Sequence, residues 1–179
     1  GCLAGIGNKL IVDTKDENHR TFLDLSYGWV ALIGFCATSM LCLYQPFIRL
    51  WAGEELLLPF SAVILVVVYF VFYQGRKVVI TYKDAAGLWW EDRFRPFVMA
   101  GTNLVSNLIL VQFIGIWGIV VSTILSLCIS IPWETHTVFR YVFKRSPKEY
   151  YLMLLKFGSV LLLASAVTLG ICQIASEGI

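Results

Sequence analysis

Long apolar stretches separated by short charged segments dominate the pattern of hydrophobic and polar positions along the chain. Four windows contain no Asp, Glu, Lys or Arg, and they cover residues 25–48, 56–75, 97–133 and 157–176. A helix needs about 20 apolar residues to cross a hydrocarbon core about 30 Å thick. As one straight helix the third window would be about 55 Å long, nearly twice that thickness. We therefore expect two helices within it, joined by a tight turn near Gly115 and Gly118.

Five membrane helices are predicted from this pattern, at about 23–48, 57–75, 96–113, 117–135 and 152–174. Residues 1–8 lack both Met and the basic start of a signal peptide, so we expect them to be the end of a preceding helix. The chain is accordingly expected to be a single transmembrane domain and a fragment of a longer protein. The predicted fold class is all-α, a polytopic membrane helix bundle.

Composition supports the membrane interpretation. Hydrophobic residues make up 58% of the chain and charged residues 15%, with a mean hydropathy of +0.75. Buried helices of soluble proteins rarely exceed about 10–14 apolar residues, and 179 residues could not cover five longer ones. A soluble domain is therefore excluded. The five cysteines show no CxxC spacing, so we expect neither disulfides nor a metal site, and no cofactor.

Basic residues alternate between the segments that precede and join the predicted helices. These successive segments contain 3, 1, 5, 0 and 4 Lys or Arg residues. The positive-inside rule assigns the richer segments, 9–22, 76–95 and 136–151, to the cytoplasm. The sequence therefore predicts a multi-pass protein of the cytoplasmic membrane.

The segment 83–95 concentrates six charged side chains around Trp89 and Trp90. Tryptophans suit the membrane interface, so one interpretation is an anchor that fixes topology. The other is a gate, in which Asp84, Glu91 and Asp92 pair with Arg93, Arg95 or cations of other loops, and these pairs separate when the protein changes state. The sequence leaves both open.

Polar residues also occur inside the predicted helices. Asn103 and Asn107 lie four residues apart, on one face of the third helix. Buried amides need hydrogen bonds, so these two either join helices or line a cavity that contacts polar cargo. Three glycines, Gly101, Gly115 and Gly118, are expected to allow close packing of helices.

Glu134 and His136 lie at the predicted cytoplasmic end of the fourth helix. Glu134 is either solvated at the interface or takes part in coupling, gating or contact with cargo. The sequence has no HExxH, GxSxG or P-loop motif. We therefore expect no catalytic residues and a protein that is not an enzyme.

The order of several motifs resembles that of polysaccharide flippases, the Wzx-type oligosaccharide repeat-unit transporters of Gram-positive bacteria. Within 78–126 the shared pattern is an acid-Ala-Ala-Gly loop, an acidic-basic cluster, Pro, an Asn-Leu helix, a GIxG turn and a Ser/Thr-rich helix. GIGN at 5–8, PFIRLWAGEELLL at 46–58 and YVFKRSPKEYY at 141–151 also fit. The resemblance covers roughly residues 5–151.

This resemblance implies membership of the multidrug/oligosaccharidyl-lipid/polysaccharide exporter superfamily, whose members have about twelve to fourteen helices in two pseudo-symmetric bundles. The full protein would move an undecaprenyl-diphosphate-linked oligosaccharide to the outer leaflet for capsule or exopolysaccharide synthesis, by alternating access. Its partners would be this lipid-linked oligosaccharide, membrane lipids and the missing N-terminal half, and no nucleic acid. Cations offsetting the diphosphate would be Arg49, Arg76, Lys77 and Arg95.

Three other functions are compatible with a helical membrane protein. A cation-coupled multidrug exporter of the same superfamily would need an acid deep in a helix, and no acid lies in the middle of a predicted helix. A membrane enzyme of polymer assembly would need large outer loops, whereas the predicted outer loops have about ten residues or fewer. The third is a membrane scaffold without transport activity.

Overall fold

The computed structural model describes the backbone of residues 2–177 and the side chains of residues 5–170. Within that part the chain is helical and has no strand. The seven α-helices are α1 (Cys2–Val12), α2 (Lys15–Trp51), α3 (Phe60–Gly75), α4 (Lys77–Ala85), α5 (Arg95–Ile114), α6 (Trp117–Val138) and α7 (Lys148–Glu177). A short 3-10 helix spans Glu54–Leu56, and a π-helical turn at Phe139–Phe143 continues α6.

Five helical segments of the described chain are long and apolar enough to cross a membrane. They are Lys15–Trp51, Phe60–Ala85, Arg95–Ile114, Trp117–Phe143 and Lys148–Gly170. The second of them combines α3 and α4, which meet at Arg76. This confirms the predicted all-α fold and the presence of several helices of membrane-spanning length.

The segments expected to be loops at 9–22 and 136–151 are largely helical, and 76–95 is half helical, which corrects the sequence-based boundaries. Thr14 begins α2 with a capping box: its hydroxyl accepts from the Glu17 backbone, and the Glu17 carboxylate accepts from the Thr14 backbone N–H. The segment 76–95 starts with α4, and 136–151 contains the end of α6, the π turn and the start of α7. Several charged residues of these segments, such as Lys15 and Lys148, therefore lie within helices.

The long helices pack side by side in the order α7, α2, α3, α6, α5. Helix α5 contacts only α6 among the described elements and has no buried residue. At one end of the bundle, measured along the helix axes, α1 and α4 pack against the start of α2 and the end of α6. We call this the basic end, because it carries the Lys- and Arg-rich segments.

An aromatic cluster fixes the helices at the basic end. Phe22 of α2 lies at its centre, with its ring 5.2 Å from those of Tyr82 and Tyr150 and 5.1 Å from that of Phe143. Phe139 packs on Phe22 as well, at 5.5 Å in an edge-to-face arrangement. Because these rings come from α2, α4, the π turn and α7, their packing holds α4 against the bundle. Helix α4 is thereby placed beside α6, where the candidate site lies.

Candidate functional site

Two charged side chains of the segment 83–95 are buried inside the protein. Lys83 and Asp92 are each 4% exposed, and Glu134 of α6 is 0% exposed. Interfacial solvation of Glu134, one of the two sequence-based interpretations, is therefore wrong. Burying a charge is costly unless it is paired, so the partners of these side chains define the candidate site.

Four structural elements supply the site. Arg76 lies at the junction of α3 and α4, and Lys83 is one of the last residues of α4. The chain then reverses at Gly87, whose φ of +67° favours glycine. Asp92 lies near the end of this turn, three residues before Arg95 begins α5. Glu134 approaches from α6, so the site joins segments that are far apart in sequence.

Asp92 is shared by two cations. Its Oδ2 atom lies 2.7 Å from Lys83 Nζ and 2.8 Å from Arg95 Nε, and its Oδ1 atom accepts from the same Arg95 nitrogen at 2.9 Å. The carboxylate thus ties the end of α4 to the first turn of α5.

Glu134 is shared by two arginines. Its Oε1 atom lies 3.0 Å from Arg95 Nη1 and 3.6 Å from Arg76 Nη2. Both guanidinium groups also donate to the hydroxyl of Ser130, at 3.0 Å from Arg95 and 3.2 Å from Arg76. Neither Glu134 oxygen has a well-aligned hydrogen bond, so Glu134 is held by charge pairing, and its geometry is looser than that of Asp92.

The charges of the network balance. The cations are Arg76, Lys83 and Arg95, and the acids are Asp92, Glu134 and Asp84, which lies 3.6 Å from Lys83. We call these six residues and Ser130 the ion-pair network. Because Arg95 contacts both Asp92 and Glu134, it connects the two halves of the network. Separating α5 from α6 at this end would break at least one buried pair.

The asparagines form a second polar group, between α5 and α6. Asn107 Nδ2 donates to Asn103 Oδ1 at 3.4 Å, and Asn103 Nδ2 donates to the Thr123 hydroxyl at 3.3 Å. The Ser122 hydroxyl donates to Asn107 Oδ1 at 2.8 Å. These bonds match the interpretation that the asparagines join helices.

The structure brings some of the sequence-predicted site residues together and leaves others apart. Arg76, Arg95, Asp84, Asp92 and Glu134 all belong to the ion-pair network. Arg49 lies at the opposite end of the bundle, where it pairs with Glu54 at 3.4 Å and is well exposed. Lys77 is exposed and lies over the ring of Tyr73, 5.7 Å from its centroid.

Two members of the network were not predicted as site residues. Ser130 lies four residues before Glu134 and therefore on the same face of α6, a spacing that could have indicated it. Lys83 was assigned to a solvated loop, although it lies seven residues after Arg76, which also gives a shared helical face.

Among the side chains described, 5–170, no group of three or more His, Cys, Asp or Glu residues could hold a metal ion. What the site offers is two guanidinium groups and an ammonium group beside carboxylates that they could exchange for another anion. No protein-family model, no curated protein and no solved structure matches this chain.

Proposed function

We propose that the chain is part of an integral membrane flippase that moves undecaprenyl-diphosphate-linked oligosaccharide repeat units across the bacterial cytoplasmic membrane by alternating access. The protein would serve capsule or exopolysaccharide synthesis and act as a transporter, not an enzyme. The observation that carries this proposal is the buried ion-pair network, because ionisable groups within membrane helices mark substrate paths and moving parts. The motif order described above supports the choice of cargo.

In this proposal the network is a gate at the cytoplasmic end. Closing it pairs Asp92 and Glu134 with Arg95, which joins α4, α5 and α6. Opening it separates buried charges, which is unfavourable unless water or cargo replaces the lost partners. A gate built in this way has two discrete states, as alternating access requires.

The network also suits a diphosphate chemically. One arginine can donate two parallel hydrogen bonds to two oxygens of a phosphate. Arg76 and Arg95 both lie next to the same carboxylate oxygen of Glu134, so both could reach a phosphate bound there. The loose geometry of Glu134 makes it the acid most readily displaced by an entering diphosphate. The lipid tail would stay in the bilayer while the sugar and diphosphate move past the gate.

A cation-coupled multidrug exporter is the second candidate, favoured by one observation. Such a transporter needs an acid buried within a spanning helix, and Glu134 is fully buried within the candidate span Trp117–Phe143. Because Glu134 also faces two arginines, we rank this function below the flippase.

Deletion of the full-length gene in its host tests the proposal. We expect lipid-linked oligosaccharide to accumulate on the inner leaflet and surface polymer to be lost. The full-length wild-type gene should restore both, and a Glu134→Gln variant should not, although Glu91→Gln should, because Glu91 is exposed. Normal polymer and a normal leaflet distribution, together with new drug sensitivity, would reject the flippase and favour the exporter.

A further inference from the structure

The turn between α4 and α5 exposes aromatic side chains next to the buried network. Trp89, Trp90, Phe94 and Phe97 are each more than half exposed. Tryptophan, which combines a large apolar ring with a polar N–H, is enriched at the headgroup layer of a bilayer. We therefore expect this cluster to lie at the depth where the basic end meets lipid headgroups.

Arg93 is held within this cluster by two rings. Its guanidinium lies 4.3 Å from the centroid of Trp90 and 4.5 Å from that of Phe94, and its Nη1 atom donates to the Trp90 carbonyl at 2.8 Å. Contacts of this kind restrict the position of the guanidinium while leaving its remaining N–H groups free to bind another group.

Arg93 differs from the other two cations of the segment 83–95. Lys83 is buried and Arg95 is partly buried, and both pair with Asp92. Arg93 is exposed and has no carboxylate within ion-pair distance in the described part of the chain. A cation at headgroup depth, already oriented and without an acid partner, is complementary to a lipid phosphate.

We propose that Arg93, Trp90 and Phe94 form a binding site for the phosphate of an anionic phospholipid headgroup. The rings insert among the headgroups and hold the guanidinium at the level of the phosphate, and Arg93 donates to its oxygens. Glu91, which is exposed in the same turn, weakens the attraction by repelling the lipid charge. The site lies outside the ion-pair network, so it does not depend on the proposed transport function.

Quenching of tryptophan fluorescence in nanodiscs tests this site with the full-length protein. One set of discs combines brominated phosphatidylglycerol with unlabelled phosphatidylcholine, and the other reverses the label. Subtracting the signal of a Trp90→Phe variant isolates the Trp90 contribution, and the two sets together give the selectivity for the anionic lipid. The same measurement is made on Arg93→Gln, Arg93→Lys, Glu91→Gln and, as a matched control, Arg140→Gln. Arg140 is also an exposed arginine of the basic end that lies over an aromatic ring, that of Tyr141 at 5.6 Å.

We expect Trp90 in the wild type to be quenched preferentially by phosphatidylglycerol. Arg93→Gln should lower this selectivity about fivefold, which corresponds to one basic residue near a charged bilayer surface. The selectivity of Arg93→Lys should fall between those of the wild type and Arg93→Gln, because lysine keeps the charge and loses the contacts of the planar guanidinium with the rings. Glu91→Gln should raise the selectivity. Arg140→Gln should leave the selectivity at Trp90 unchanged.

Three results would overturn the proposal. Equal quenching by both lipids in the wild type would show a general aromatic anchor. Unchanged selectivity in Arg93→Gln would assign the preference to other cations. Absence of quenching at Trp90 by either lipid would show that protein, such as another part of the transporter, covers this surface.

Discussion

Asp92 is the residue on which the ion-pair network most depends. It is almost fully buried and contacts Lys83 at 2.7 Å and Arg95 at 2.8 Å. Removal of the shared acid leaves two cations in a poorly solvated site. The cost of leaving such charges unpaired exceeds the small net gain of forming the pair.

We predict that Asp92→Asn lowers the free energy of unfolding by about 3–5 kcal/mol, the usual cost of breaking a buried ion pair. Unfolding in detergent micelles of constant composition would measure the change. Glu91→Gln is the matched control, since Glu91 is the exposed neighbour and should change stability by less than about 0.5 kcal/mol. Equal effects of the two variants would mean that Asp92 is solvated.

Several members of the network could be predicted from sequence, whereas their pairing could not. Charge beside a long apolar window indicated Arg76, Arg95, Asp92 and Glu134, because ionisable groups there are rare and expensive. Arg76 and Glu134 are 58 positions apart, and no local pattern fixes which cation a buried acid meets. The same limit led Lys83 to be placed in a solvated loop.

At the scale of elements, α5 and α6 form a tightly packed hairpin. Gly115 provides the turn with φ +60°, and Gly118 lies against the backbone of α5. A Cβ atom at Gly118 would lie 2.7 Å from the Leu110 carbonyl carbon and 2.7 Å from the Val111 nitrogen. Gly101 and Gly115 were also expected to allow close packing, but a Cβ atom at either would meet no heavy atom within 4 Å apart from neighbouring backbone. That expectation is therefore wrong for these two glycines.

We predict that Gly118→Ala destabilises the protein by about 1–3 kcal/mol, because backbone atoms of α5 must move to admit the methyl group. Gly101→Ala is the control on the partner helix and should be neutral or slightly stabilising, since alanine favours helix. Thermal unfolding of both variants in the same detergent gives the comparison. Loss of stability in Gly101→Ala alone would contradict the close approach at Gly118.

The apolar windows were sufficient to predict the spanning helices, although not their ends. A run of about 20 apolar residues has few alternatives to a membrane helix. The ends depend on caps and tertiary contacts, as with Asn18, whose amide nitrogen donates to the carbonyls of Lys9, Asp13 and Thr14 at the α1–α2 junction. Such side-chain bonds require the folded arrangement and leave no periodic signal.

At the scale of the whole molecule, the two ends of the bundle differ in charge. The ion-pair network and the ring cluster around Phe22 lie at the basic end. At the opposite end Arg49, in the last turn of α2, is the only basic residue, and the segment joining α2 to α3 contains none. If the positive-inside rule sets the orientation, the basic end faces the cytoplasm.

We predict that Ser146→Cys reacts with a membrane-impermeant thiol reagent only from the cytoplasmic side, and Glu55→Cys only from the outer side. Both positions are exposed, and they lie between α6 and α7 and between α2 and α3, respectively. Intact cells and inverted vesicles carrying the full-length protein, with its other cysteines replaced, distinguish the two sides. Labelling of both positions from one side would contradict the orientation.

We propose that the ion-pair network closes the basic end of the bundle. The accessibility of a buried position beneath the network tests this closure most directly. Ser126 is 0% exposed and lies on the Ser130–Glu134 face of α6, about 6 Å further from the basic end than Ser130. We would measure the rate at which Ser126→Cys, in full-length protein lacking other cysteines, reacts with an impermeant thiol reagent in inverted vesicles.

We predict that Ser126→Cys is labelled slowly when the network is intact and at least about tenfold faster when Asp92→Asn is added. Destabilising the closed state by about 1.4 kcal/mol or more raises the population of the open state relative to the closed state by at least that factor. Adding Glu91→Gln instead should leave the rate unchanged. Equally fast labelling in all three proteins would show that the network does not close this end, and the gate would have to be sought elsewhere.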